Sequence, residues 1–224
     1  MEEIINLLYL NQDLKYRDFH SSLMPNIDKD NVIGVRRPIL KKIAKNIYKN
    51  YNYSLFLDEL PHKYFEENVL HILIISYLDD YDLMINELDK FIPYIDNWAV
   101  CDGYSSKLIK KNKDKIIIKI KEWIKNKYVY SKRFGVNMLM NYFLDDDFKK
   151  TYLSLVGNIK SNDYYLDMVI AWYFATALAK KRDETLLYLG NNKLSESIKK
   201  MLIRKAKDSY RVDESTVLRL IEIL

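Results

Sequence analysis

Apolar side chains recur at helical spacing along most of this chain, and the longer apolar runs restart near residues 63, 94, 130, 163 and 194. Each interval, roughly 31 to 36 residues, holds two helices and lies close to the period of helical-repeat arrays. A helix pair of that length cannot bury its apolar face alone, so neighbours must stack, and a stacked array curves. Glycine and proline number only five and four among 224 residues, too few for the many turns of an all-β chain. The expected fold is therefore all-α: a curved α-solenoid whose concave side is built from one helix of each pair. No stretch is rich enough in Gly, Ser or Pro to act as a linker, so the chain reads as a single domain over residues 1–224.

The first apolar stripe runs through Ile4, Leu7, Leu8 and Leu10. A second uses Ile39, Leu40, Ile43, Ala44 and Ile47 behind Pro38, which suits the first position of a helix. Phe65 to Leu78 and Tyr81 to Phe91 follow, the latter closed by Pro93. Helices are then predicted over about 94–111, 114–127, 130–144, 147–159, 163–180, 183–190, 194–209 and 213–224. Asp and Asn stand at the joints (Asp79-Asp80, Asp96-Asn97, Asp145 to Asp147, Asn162-Asp163, Asn191-Asn192), where their side chains accept from nearby backbone amides.

Several classes are excluded. The most apolar stretch, Met168 to Ala179, reads as a buried helix and falls short of the roughly 20 residues that span a bilayer. Met1-Glu2-Glu3 is too acidic for a secretory signal, so a cytoplasmic, nucleoid-associated location and no membrane partner are expected. One cysteine, Cys101, cannot form an internal disulfide, and His20, His62 and His71 are too scattered for a metal cluster. The net charge of +5 is unevenly spread. Residues 31–50 carry six basic side chains and no acid, 107–127 carry nine lysines against Asp114 and Glu122, and 193–211 carry seven basic residues against Glu196 and Asp208. Residues 58–96 carry ten acids against Lys63 and Lys90. Such polarity marks either a face for a polyanion or a solvated lysine-rich surface.

Trp98 and Asp102 stand four residues apart, Arg133 follows 35 positions after Trp98, and Trp172 follows 39 after that. At about 3.6 residues per turn, Trp98 and Asp102 share a helical face. Arg133 and Trp172 occupy comparable positions in later elements, so alternate helices lining one surface would bring all four together. Each also has a plain structural reading: a tryptophan in a helix is usually core, as Trp123 is expected to be. An aspartate there can face solvent, and an arginine can pair with a helix C-terminus.

As an ordered set, these residues resemble the AlkD-type DNA alkylation repair glycosylases. The likeness rests on Trp98-x3-Asp102, on Ser131-Lys132-Arg133-Phe134-Gly135-Val136, and on Ile170-Ala171-Trp172. It is supported by Ile33-Gly34-Val35-Arg36-Arg37-Pro38, Tyr64-Phe65-Glu66-Glu67 and Asp208-Ser209-Tyr210-Arg211-Val212, and runs over roughly 14–212. The resemblance implies HEAT-like helix pairs with DNA across the concave face and hydrolytic release of N3- and N7-alkylated purines that carry positive charge. It further implies that Trp98 and Trp172 are the aromatic pair, Asp102 the essential carboxylate and Arg133 a DNA contact, and that the lesion stays largely stacked. In one respect the chain departs from the family: where its members place a tyrosine ahead of the Gly-containing segment, this chain has His20-Ser21-Ser22-Leu23-Met24-Pro25.

The chemistry fits those roles. A cationic purine leaves as a neutral base, and positive charge moves to the deoxyribose as the glycosidic bond stretches. A nearby carboxylate stabilises that state and orients water, and each indole face adds about 0.5–2 kcal/mol. No metal or organic cofactor is required. Further phosphate contacts are expected from Lys132, Arg36, Arg37, Lys41, Arg204, Lys205 and Arg211, and the partner is duplex DNA bearing alkylated purines, bound by a monomer. Two other readings stand beside this one: a non-catalytic repeat protein that binds branched or distorted DNA, and a protein–protein scaffold. An aspartate in a DNA-facing groove repels phosphate and argues against the first; the basic segments and the absence of a long exposed apolar stripe argue against the second.

Overall fold

A computed structural model describes residues 2–191 and 194–224, and among them the chain is all-helical, with fifteen α-helices and no strand. Met1 of the acidic start, and Asn192 of the predicted Asn191-Asn192 joint with its neighbour Lys193, lie outside the described residues. The chain divides into two compact units, one ending at Asn112 and the other starting at Lys113. No described helix is long and apolar enough to cross a membrane.

The first unit holds α1 (Glu2–Leu10), α2 (Leu14–Ser22), α3 (Arg37–Asn50), α4 (Tyr53–Asp58), α5 (Phe65–Tyr77), α6 (Tyr81–Phe91), α7 (Trp98–Cys101) and α8 (Lys107–Lys111). Its centre is α5, buried from Phe65 to Ile75 and packed by α3, α4, α6 and α7. From Val69 to Ile75 it is apolar on every side except at His71, which suits a helix at the centre, and Glu66, Glu67 and Asn68 in its first turn are buried with it. The polar residues at the joints cap as expected: Asp80 accepts from the Leu83 amide at 2.7 Å and Asn97 from the Val100 amide at 3.0 Å. Two helices, α2 and α4, carried no legible stripe. None of the residues of α2 is fully buried, and α4 is six residues long.

The entry to α3 is held by a buried anion. Glu66, with no exposed surface, accepts from the amides of Ile33 at 2.9 Å, Gly34 at 2.7 Å and Val35 at 3.2 Å. Gathering three amides on one carboxylate bends the chain, and Gly34 takes φ +97°. A Cβ there would stand 2.6 Å from Arg17 Cβ and 2.8 Å from the Asp13 carbonyl, so both the angle and the space require glycine.

The helix predicted over 94–111 is not continuous. A 3-10 turn, Ile92–Tyr94, precedes the single turn of α7; residues 102–106 leave the helix, and α8 begins behind Ser106. The reasons are local and tertiary together. Asn97 and Ser106 each cap a new start by accepting from Val100 and Leu108 amides, while Arg37 takes the carbonyls of Ala99 and Gly103 that a longer helix would use.

The second unit holds α9 (Lys113–Lys125), α10 (Val129–Tyr142), α11 (Lys150–Gly157), α12 (Tyr164–Lys180), α13 (Arg182–Asn191), α14 (Glu196–Lys207) and α15 (Glu214–Ile223). Here the helix-pair pattern is displayed: α10, α12 and α14 pack one on the next, and α9, α11, α13 and α15 lie against that row. Met168 to Ala179 falls inside α12, whose Tyr173 and Phe174 are fully buried with Phe134 of α10. Each such side chain contributes on the order of 1.5–3 kcal/mol by leaving water. Trp123 is a core residue as expected, 4% exposed and edge-on to Phe134 at 5.1 Å.

Candidate functional site

In the first unit, α7 places Trp98 at its first position and Asp102 at its C-cap. Although the long helix is broken, the one-turn relation survives: the Asp102 amide donates to the Trp98 carbonyl at 2.9 Å, and Asp102 keeps a helical backbone at φ −81°, ψ −10°. Both side chains are half-buried. The Trp98 ring is fixed at its polar edge, where Nε1 donates to the Leu23 carbonyl at 3.1 Å. Asn26 binds the same region, its Nδ2 donating to the Asp96 carbonyl at 2.6 Å. The loop behind α2 thus buttresses the indole, leaving part of it in solvent.

Arg37 was expected to meet phosphate, and its guanidinium instead faces inward. It is half-buried, with Nη1 donating to the Ala99 carbonyl at 3.2 Å and Nη2 to the Gly103 carbonyl at 3.0 Å. Burial is the main influence lowering its pKa. A Cβ on residue 103 would collide with that guanidinium, so glycine beside Asp102 permits the contact. Arg36 is exposed; it pairs with Asp13 at 2.8 Å and lies over the Tyr16 ring at 4.9 Å. Hydrogen bonds from the Tyr16 amide and then from Arg36 lower the Asp13 pKa. Lys41 is exposed on α3.

An aromatic surface missed in the sequence stands beside these groups. Tyr16 stacks on His20 with centroids 5.1 Å apart and planes 20° apart, and His20 meets Phe65 at 5.2 Å. Tyr16 thus stands one turn before His20, ahead of the Gly-containing segment. The signal was available: Tyr16 and His20 are four apart, so any helix there aligns them. Burial, followed by the charge of Arg37, lowers the His20 pKa and favours a neutral ring.

In the second unit, Trp172 is 39% exposed although the rest of the middle of α12 is core. It lines a groove of about 340 Å³ between α12 and α14 together with Lys205, Tyr210 and Arg211. Lys205 Nζ lies 5.6 Å from the Trp172 ring centroid, and Tyr210 is 91% exposed with the Arg211 guanidinium 5.5 Å from its centroid. Arg204 is also largely in solvent, 4.0 Å from Asp208. Aromatic faces and cations at one groove suit a polyanion with flat rings.

Arg133 and Lys132 are placed differently from that group. Arg133 is 4% exposed, and its Nη1 donates to the Tyr165 carbonyl at 2.5 Å, at the start of α12. Lys132 is half-buried and turned toward α9 and α11, where it lines a separate groove.

The class these features define is an all-α protein presenting indole rings, a carboxylate and exposed cations from its helices. Its family follows from comparison: the sequence profile of the DNA alkylation repair enzyme family matches residues 4–208, and the chain belongs to that family. It is accordingly a DNA repair protein with DNA as its partner. No curated protein matches the chain.

Proposed function

We propose that this protein is a DNA N-glycosylase that hydrolyses the glycosidic bond of positively charged N3- and N7-alkylated purines in duplex DNA, without fully rotating the base from the stack. The observation that carries the reading is the α7 turn, in which Trp98 and Asp102 are tied backbone to backbone and fixed by Leu23 and Arg37. A scaffold has no use for a carboxylate and an indole so firmly positioned in a protein whose ligand is polyanionic.

In the proposed reaction the bond between C1′ and the purine nitrogen breaks, and its electron pair neutralises the cationic base, so no acid is needed. The sugar takes up the positive charge, which Asp102 stabilises while orienting the water that adds to C1′ and passes its proton to bulk solvent. Losing one such pre-placed group typically costs about 100- to 1000-fold in rate. Trp98 offers its electron-rich face to the cationic sugar, and Trp172 in the second unit is proposed as a further aromatic contact to the alkylated DNA, each contributing about 0.5–2 kcal/mol. Lys205, Arg204 and Arg211 beside Trp172, with Arg36 and Lys41 on the other unit, supply phosphate contacts. Arg37 and Arg133 act as positioning residues, holding α7 and the start of α12, and Lys132 is left to its own groove. Selectivity then follows lability: a neutral lesion such as uracil, whose leaving group is poor, is not a substrate. No cofactor enters this chemistry. The family profile runs through both units, in keeping with a single HEAT-like repeat domain; with it we propose a monomer acting on nucleoid DNA.

The test is release of free base from duplex carrying N-methylpurine, with a uracil-containing duplex and the Asp102→Asn protein alongside. Release from the alkylated duplex alone, abolished in Asp102→Asn, supports the proposal. Tight binding of duplex without release points to the non-catalytic DNA-binding reading and overturns it.

A further inference from the structure

The outer groove of the second unit is a cavity of about 700 Å³ between α9, the first turn of α10 and the end of α11. Four lysines surround it: Lys121 and Lys125 on α9, Lys132 on α10, and Lys160 just past α11. No acidic side chain lines it. Elsewhere in this unit Lys113, Lys119 and Lys180 are matched to Asp147, Glu122 and Asp145. Among the described residues none of the four groove lysines forms an ion pair. Like charges gathered on three elements around one concavity repel one another, and an anion seated among them relieves that repulsion. This groove shares no residue with the one that Trp172 lines.

Shape and lining narrow the class of anion. A small nucleotide site is normally enclosed and buries most of its ligand, whereas Lys121, Lys125 and Lys160 are exposed at an open rim. A duplex is a rigid cylinder that would rest on the rim, reaching the cations of one side only. A single strand can enter, its phosphates following the lysines while its bases lie against the half-buried apolar side chains of Leu155 and Ile159. Ser154 and Asn158 add neutral hydrogen-bonding groups within the same groove. Lysine suits such a ligand because it contacts phosphate as a point charge, without the planar geometry that arginine imposes.

We infer that this groove is a binding site for single-stranded nucleic acid, held through its phosphodiester backbone on the face that carries α9 and α11. It is independent of the glycosylase reading: base release can fail while this site binds, and the reverse.

The experiment measures fluorescence anisotropy of a short labelled oligothymidylate with the full chain, compared with a Lys121→Gln, Lys125→Gln, Lys160→Gln protein. These side chains are in solvent, and circular dichroism checks that the helices are retained. The variant should bind about tenfold more weakly near 0.1 M salt. Its slope of log K against log salt should flatten by about 2, at about 0.7 for each lysine lost from a single-strand contact. Its duplex affinity should not change. Native binding of the oligonucleotide by the variant overturns the proposal. Complete displacement by millimolar ATP assigns the groove to small nucleotides instead, and stoichiometric displacement by undamaged duplex assigns the strand to the duplex-binding surface; either result also overturns it.

Discussion

Nη2 of Arg37 donates to the carbonyl of Gly103 at 3.0 Å, joining residues 66 positions apart. The same guanidinium holds the Ala99 carbonyl, so α3 fixes the turn that carries Trp98 and Asp102. An arginine beside an exposed arginine, in a basic segment, serves the site from behind.

Replacing Arg37 should therefore damage catalysis more than binding. Arg37→Lys keeps the charge and cannot span both carbonyls; the expected loss of unfolding free energy is about 1–3 kcal/mol. Single-turnover base release should fall at least tenfold with duplex affinity little changed, since the residue orders α7 and does not touch DNA in this proposal. Urea denaturation and single-turnover kinetics check both halves. A lysine variant that weakens duplex binding and leaves the chemical step intact would restore the phosphate role.

Glu66 makes a second long-range tie. Glu66→Gln replaces one acceptor oxygen with an NH2 group facing a backbone amide of the Ile33 to Val35 set, which should cost about 2–3 kcal/mol. Gly34→Ala should cost a comparable amount, about 1–3 kcal/mol, through its positive φ and the crowding by Arg17 and Asp13. Because the two act on one segment, the double variant should lose less than the sum of the single losses, read from urea midpoints.

The groove beside Trp172 predicts a salt signature. Changing Arg204, Lys205 and Arg211 to Gln should flatten the slope of log K against log salt for duplex binding by up to about 2.7, at about 0.9 for each phosphate contact removed. Lys41→Gln should flatten it by about 0.9 on the same grounds. Titrations over a range of salt decide it, and an unaltered slope in the triple variant removes this groove from the DNA interface.

Acid sensitivity should trace to a buried histidine pair. His62 Nε2 and His71 Nδ1 are 2.9 Å apart, and His71 stacks on Phe91 at 4.0 Å. Burial pushes the pKa of His62 down to about 4 and that of His71 to about 2, with His62 and Lys90 adding to the shift at His71. The unfolded chain, with histidines near 6.5, binds more protons below that pH. Stability is thus full above pH 6.5 and falls as the pH drops toward 4, by up to about 1.4 kcal/mol per pH unit for each ring. Urea midpoints at several pH values should show this slope, reduced in His71→Phe; a flat profile in the native protein would contradict the burial of the pair.

Much of the architecture was legible because helical periodicity and polar caps are local. The stripes of α3, α5, α6, α12 and α14, and caps such as Asp80, Asn97 and Asp163, follow from side chains a few residues apart. The break after Cys101 was not legible, since it depends on Arg37, 62 residues from Ala99, competing for helix carbonyls. Within the candidate site, Trp98, Asp102 and Trp172 stood out as an ordered set of uncommon residue types. The basic residues did not sort themselves. Arg36, Arg37, Lys132 and Arg133 look alike in sequence, yet they prove to be exposed, half-buried, turned to another groove and sealed.

The amino-acid string alone determined that this chain is helical, roughly where most helices begin, and which family it resembles. Those properties depend on spacing and short-range capping, which hold wherever the helix ends up. Folding in three dimensions decided which cations meet solvent, which brace backbone carbonyls, and where a helix stops. Burial and long-range hydrogen bonds are set by neighbours that sequence distance does not reveal.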